Sequence, residues 1–434
     1  MDQPVASGNR SGQPDDEPVG SRGHGFGMIA LLALLVAVGD TTVVSPAGPY
    51  RTITAAVAAA PTGGTVLVRA GRYREPLIVV NRPLTIRGEP GAVIDGERQH
   101  ALMVIRADDV TVQGLTFTAT GGSFTEDRAA LRAENVHHCR ILDNRFEHTF
   151  FAVYLAATVA CEVGRNRIAG MLGTVEAAMG NGVHSWSSRE ADIHDNVITG
   201  HRDGIYLEFN RLANVRNNRS EHNYRYGMHF MYSDSSHYTG NTFAANGGGV
   251  AVMYTKVVTM ERNTFADNGG PTSYGLLLKE IADARLIGNW FRRNTTGLLA
   301  DGADRVIATG NHFEENGWGL RLLGSTSGGT IAGNVFRRNS FDVAVNGAGT
   351  STDFTGNWWE SYHGWDLDRD GRGDVPHHPV RLFAMLVEHS QASLLLQRSL
   401  FVRLLDAAER VLPVLTPANV VDASPLMRAP KEGV

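Results

Sequence analysis

A chain of 434 residues is longer than a usual single domain, a length that a stack of repeats reaches simply by adding turns. A net charge of −5 with 20% charged residues excludes a broad nucleic-acid-binding field, so no nucleic acid is expected as a partner. Two cysteines exclude a disulfide-dense scaffold, while 42% hydrophobic residues suffice for a core and 49 glycines call for many turns.

Residues 1–39 read as a leader. The run MIALLALLVAV at 28–38 has 11 apolar residues, too short to span a bilayer and suited to the core of an export signal. Ala37 and Gly39 put small residues at −3 and −1, which places cleavage after Gly39. The preceding stretch sets Asp2, Asp15, Asp16 and Glu17 against Arg10 and Arg22, where such a signal should be positive, so a start near Val19 is expected. An uncleaved anchor behind a disordered tail is the alternative. Either way the body lies outside the cytoplasm.

Residues 40–120 form the next unit, an N-terminal cap with the first coils. TITAAVAAAPTGG gives a short Ala-rich helix, and strands separated by glycine turns follow it. A helix there would cover the unpaired backbone at an open end.

Over 121–362 an asparagine recurs before an apolar or aromatic residue, at Asn144, Asn166, Asn196, Asn218, Asn241, Asn263, Asn289, Asn311, Asn334 and Asn357. The spacings are 22, 30, 22, 23, 22, 26, 22, 23 and 23, a solenoid period with two insertions. Short alternating segments such as GIYLEF exclude helical repeats, and no leucine-rich frame is present. The expected fold is all-β: a right-handed parallel β-helix of 22–23-residue coils, with an N-terminal capping helix and a C-terminal helical tail.

Each coil also carries a glycine that opens a second strand, from Gly182 to Gly319. First and third positions after it are mostly apolar and should face inward, because strand side chains alternate. The second positions, His184, Tyr206, His229, Ala251, Leu277, Leu299 and Arg321, should then face outward. So should the fourth, Trp186, Glu208, Met231, Met253, Lys279, Asp301 and Leu323. Met231 and Met253 are expected side by side, with His229 close and His184 two coils away. Thioether and imidazole suit Cu(I). The candidate stripe is therefore Met231, Met253, His229, His184 and Glu208, joined by Met179 from the first insertion, which also brings Met171. Methionines packed beneath a loop or partner are the alternative. Both insertions enter at the corner leading into this strand, so both loops should border one face.

Cys139 and Cys161 each precede a ladder asparagine by five residues, which makes them neighbours on adjacent coils. A disulfide is expected from an oxidising compartment, against two buried thiols or a copper thiolate with His137 or His138. In 363–379 the run WDLDRDGRGDVPHH sets Asp366, Asp368, Asp370 and Asp374 at positions 1, 3, 5 and 9 of a calcium-type loop. His377 stands at position 12, where bidentate closure needs Glu. A weak Ca²⁺ site and a solvated acidic turn both fit. Residues 380–434 change to a helical period and form a docking segment.

The strings RYGMHFMYSD, AVMYTK, YGLLLKE, WDLDRDGRGDVP and PVRLFAMLVE, with AERVLPVLTP behind them, strongly resemble the NosD family over roughly residues 47–427. The resemblance implies a periplasmic β-helix attached to an ABC transporter with a NosY-type permease and a NosF-type ATPase. It also implies copper handling in assembly of the copper–sulfide centre of nitrous oxide reductase, with a NosL-type lipoprotein as copper donor. No copper ligand is carried over residue by residue; the stripe rests on register alone. A β-helix enzyme acting on acidic polysaccharide is the rival, since Glu208, Lys279 and Asp301 share a column. A metal-free scaffold between transporter and reductase is the third reading.

Overall fold

The computed structural model describes residues 41–430, apart from 124–125, 172–174, 271–272, 325, 347–350, 398 and 413–419. The leader, with its signal and cleavage site, lies outside the described residues. Each coil gives one strand to each of three parallel sheets of 14, 12 and 13 strands, which together make a β-helix. The sheets run through residue 120 without a break, so the cap and first coils share one array with the coils that follow.

Helix α1 (Ile53–Ala59) closes the N-terminal end. Thr52 caps it, and the Glu75 carboxylate accepts from the amides of Ile53 (2.6 Å) and Thr54 (2.9 Å), pinning its first turn to the coils.

The repeat asparagines form a continuous buried ladder. Asn241, for instance, accepts from the backbone N–H of Asn218 (2.9 Å) and donates Nδ2 to the carbonyl of Val215 (2.8 Å). An amide side chain supplies both roles at once, which is why this residue type recurs. The residue before each asparagine takes a left-handed φ, as at Asp143, Asn217, Gly240 and Gly288, so glycine is common there. Two residues after the later asparagines, Phe265, Phe291 and Phe313 stack inside the coil with centroids 4.8 Å apart. The glycines that open the second strand have another cause: a Cβ at Gly182, Gly204, Gly227 or Gly249 would lie within 3.0 Å of the next coil's glycine carbonyl.

At the C-terminal end, helices α2 (Leu382–His389) and α3 (Leu400–Val411) pack Phe383, Ala384, Val387 and Val402 on Trp318, Phe341 and Ala344 of the last coils. The chain then returns at 420–430, where Asp422 bridges Phe354 and His377. No helix among the described residues is long and apolar enough to cross a membrane.

A candidate metal-binding face

The 12-stranded sheet carries the predicted stripe. Register pairs Tyr154, His184, Tyr206, His229, Ala251, Leu277 and Leu299 in one column. It pairs Trp186, Glu208, Met231, Met253, Lys279 and Asp301 in the next. Met228 and Phe230 fill the coil at 0% exposure, while Met231 and Met253 stand half-buried on the outside.

The two histidines are on the outer face but not exposed, and here the surface expectation is corrected. His184 is 8% and His229 6% exposed. Aromatic rings from adjacent coils and from the strand openings cover them: Tyr154 and Tyr206 lie 4.4 and 4.9 Å from His184, Tyr206 and Tyr226 4.9 and 5.1 Å from His229. The Nε2 atoms of both are buried with no hydrogen-bond partner among the described residues. Burial pushes the His184 imidazole down to about 3, so it is neutral. Its Nδ1 lies 3.3 Å from the Asn181 amide nitrogen, a contact in which Nδ1 accepts and Nε2 carries the proton; turning the amide so that its unpartnered oxygen faces Nδ1 would free the Nε2 lone pair. His229 Nδ1 lies 3.4 Å from Arg225 and 3.9 Å from Asp203. Burial alone would raise the fully buried Asp203 carboxyl, but the neighbouring His229 imidazole and the Arg225 guanidinium, which donates to both its oxygens, hold it below the carboxylate range. Arg225 also pairs with Glu176 of the first insertion at 3.3 Å, so this loop is tied to the histidine column.

Tyr206 links the two columns. Its hydroxyl points to the Met231 sulfur at 3.7 Å while its ring lies between the two imidazoles. Nothing in the spacing singled it out, because a tyrosine on an outer strand position reads as surface. Met253 packs against the cluster of Ala251, Leu277 and Tyr274; Tyr274 comes from the second insertion, and its hydroxyl meets that of Tyr226 at 3.0 Å. Glu208, Met231, Met253, Tyr206 and His229 thus share one patch that combines a carboxylate, two thioethers, a phenol and an imidazole. Met179 does not join it: it is buried in a separate cavity with His201 that His184 does not line.

Lys279 pairs with Asp301 at 3.6 Å. Glu208 stands three coils from Lys279, roughly 14 Å at about 4.8 Å per coil, with both methionines between. An acid–base pair across one glycosidic bond is not assembled there.

Cys139 and Cys161, with Cα atoms 4.6 Å apart, are joined as a disulfide, which leaves no thiolate for His137 or His138. In the Asp-rich loop, carboxylate oxygens of Asp366, Asp368 and Asp374 lie within 4.8 Å of one another. Asp370 is not part of that group; its carboxylate accepts from the Arg372 amide (2.7 Å). His377 turns inward against Trp359 and Tyr362.

Fold and face together define a parallel β-helix protein whose outer sheet surface sets Met231 and Met253 side by side next to a column with two buried histidines. Residues 164–364 match the family described as periplasmic copper-binding protein (NosD). The chain is 31% identical over 380 residues to a probable ABC transporter binding protein NosD of Pseudomonas aeruginosa, covering 83% of this chain and 87% of that one. It is 29% identical over 382 residues to the protein of the same name from Stutzerimonas stutzeri, covering 84% and 86%. The chain belongs to the NosD family. Among solved structures it is similar to the Azotobacter vinelandii mannuronan C-5 epimerase AlgE6 A-module (TM-score 0.51, 13% identity, 70% of this chain and 94% of that one). It is also similar to the DFA-IIIase of Arthrobacter chlorophenolicus A6 (TM-score 0.52, 14% identity, 68% and 92%). At such identities the likeness concerns the fold alone.

Proposed function

We propose that this chain is a non-enzymatic periplasmic protein that binds Cu(I) on the Met231–Met253 stripe and passes it on for metallation of nitrous oxide reductase. The observation that carries the reading is the pairing of Met231 with Met253 beside a buried His229 whose Nε2 has no partner among the described residues. Two thioethers and an imidazole form a soft set for Cu(I), with Glu208 beside Met231 and His184 behind Tyr206. A half-buried site of this kind lets a partner reach the ion, as transfer requires. Export through the leader's signal would bring the chain to that compartment.

The relatives' name, probable ABC transporter binding protein, supports work beside an ABC transporter. In this proposal the transporter is a NosY-type permease with a NosF-type ATPase at the inner membrane, and a NosL-type lipoprotein is the copper donor. The C-terminal segment offers the docking surface: Leu395 is 90%, Leu400 71% and Leu404 61% exposed.

Anaerobic Cu(I) titration against a chromophoric chelator tests the stripe. The Met231→Leu, Met253→Leu double variant should weaken uptake on the order of 10–100-fold or more, since even the groups behind metal ligands matter that much. Unchanged uptake would sink the stripe as copper seat. Sugars released from a uronic polymer would favour the enzyme instead, and a chain that binds no copper at all would favour the scaffold.

A structural Ca²⁺ in the loop of Asp366, Asp368 and Asp374 is the second ion in this proposal; the buried Oδ1 of Asp366, without a hydrogen-bond partner among the described residues, supports it. Calcium at 100-fold over its Kd should then stabilise the wild type by about 2.7 kcal/mol and leave an Asp366→Asn, Asp368→Asn variant unmoved. Melting curves with calcium and with chelator decide it; superimposable wild-type curves would remove the ion.

A further inference from the structure

Five residues beyond the first ladder runs a second one, of Asn223, Asn246, Asn268, Asn294, Asn316 and Asn339. Each backbone N–H donates to the next amide oxygen at 2.9–3.2 Å. From Asn246 onward each Nδ2 also donates to a carbonyl of the preceding coil at 2.9–3.1 Å. Toward the N-terminus this ladder stops at His201, whose backbone N–H still donates to Asn223 (3.1 Å) but whose side chain cannot continue the amide chain. The same offset from the first ladder falls on Met171 one coil earlier and on Thr149 before that. The change of residue type coincides with the first insertion, which leaves the corner at Met171 and returns at Gly180.

The result is a cavity of about 40 Å³ lined by His201, Met179, Met171, His148 and Thr149, among others. His201 is 1% and Met179 3% exposed, while Met171 (53%) and His148 lie open at its edge. The imidazole rests against the carbonyls of Gly180 and Phe150, and its Nε2 is buried with no hydrogen-bond partner among the described residues. A volume this small takes one ion or one water, not an organic ligand. A water would bridge Nε2 to the equally unpartnered hydroxyl of Thr149, but it would gain nothing from two thioethers. A soft monovalent cation would use them.

We propose that this corner is a second soft-metal seat, separate from the stripe, with His201 Nε2 and Met179 Sδ as inner ligands and Met171 and His148 at the mouth. The geometry stands by itself; only the identity of the ion as Cu(I) rests on the copper-binding reading above. Met179 comes from the same insertion as Glu176, which pairs with Arg225 at 3.3 Å.

The test uses the full chain, stripped of metal and titrated anaerobically with Cu(I) against a chromophoric chelator. His201→Asn supplies the residue that the next six coils use, so it should fold and melt no lower than the wild type. Met179→Leu keeps the side-chain volume. Each should lose one Cu(I) equivalent or weaken it at least tenfold, while Met231→Leu, Met253→Leu retains that equivalent. If both corner variants bind as the wild type does, the cavity holds water only and the proposal is overturned. If the stripe variant alone abolishes all binding, the second seat is likewise refuted. If the corner variants lose an equivalent and the stripe variant loses none, the corner stands and the stripe falls.

Discussion

Replacing Asp422 by Ala should unseal the C-terminal end of the solenoid and cost several kcal/mol, since each buried donor left without a partner costs about 1–3 kcal/mol. Asp422 is fully buried and stands 65 residues beyond Asn357, the last rung of the ladder. Its Oδ2 accepts from the Asn357 amide N–H (2.9 Å), the Asn357 side chain (3.2 Å) and the Trp359 indole (3.0 Å). Its Oδ1 accepts from the Gly356 amide at 3.0 Å. Every inner rung takes these bonds from the asparagine of the next coil; the last has no next coil, and a carboxylate replaces it. With the Ser424 amide also donating to Oδ1 (3.3 Å), five donors converge there, which suits a carboxylate. Asp422→Asn should therefore rescue little, because its amide would turn N–H groups toward N–H groups. Repeat arrays lose stability locally, so amide exchange should accelerate in residues 330–360 while the middle coils keep their protection. Unchanged exchange at those residues would refute the capping role.

The parts of the fold that could be read directly are those where one coil after another must solve the same problem. A buried turn needs a donor and an acceptor in one side chain, hence asparagine. A strand opening pressed against the next coil's carbonyl has no room for a Cβ, hence glycine. These demands repeat at a fixed offset, and the strand columns follow from alternation. Asp422 was hidden for the opposite reason: it acts once, from a segment with no repeat. Burial of His184 and His229 was equally invisible, since it comes from Tyr206, Tyr226 and an insertion whose path the period does not set. Met179 sits beside His201 instead of His184 for the same cause: an inserted loop keeps no register. The second ladder was present at a constant offset of five, but it runs through only part of the array, and His201 shows its meaning only once it is seen to end the run.

Acidification is the other large effect expected. In the metal-free protein, burial pushes His184 down to about 3, and His201 and His377 down to about 4, from an ordinary 6.5. The direction follows from which state takes the proton. Between pH 6.5 and the folded-state value, the unfolded chain binds protons at these imidazoles and the folded chain does not, so stability falls as pH falls. The loss begins near pH 6.5 and is complete below about pH 3–4. Each tenfold change in proton affinity between the two states is worth about 1.4 kcal/mol, so His201 alone accounts for roughly 3 kcal/mol, with comparable losses at the other two sites. These histidines lie under the first insertion and at the C-terminal closure, so both regions should loosen before the middle coils, whose buried polar groups are mostly uncharged asparagines. Thermal melts at pH 7, 6, 5 and 4 should show a steep decline, and His201→Asn should flatten it by removing one proton uptake on unfolding. A melting temperature that stays level from pH 7 to pH 4, or an identical slope in that variant, would mean that these imidazoles reach solvent in the folded state. Neutral, desolvated imidazoles are also the form in which histidine offers a lone pair, so the burial that makes the protein acid-labile is what would ready His184 and His201 for the proposed ligand roles at neutral pH.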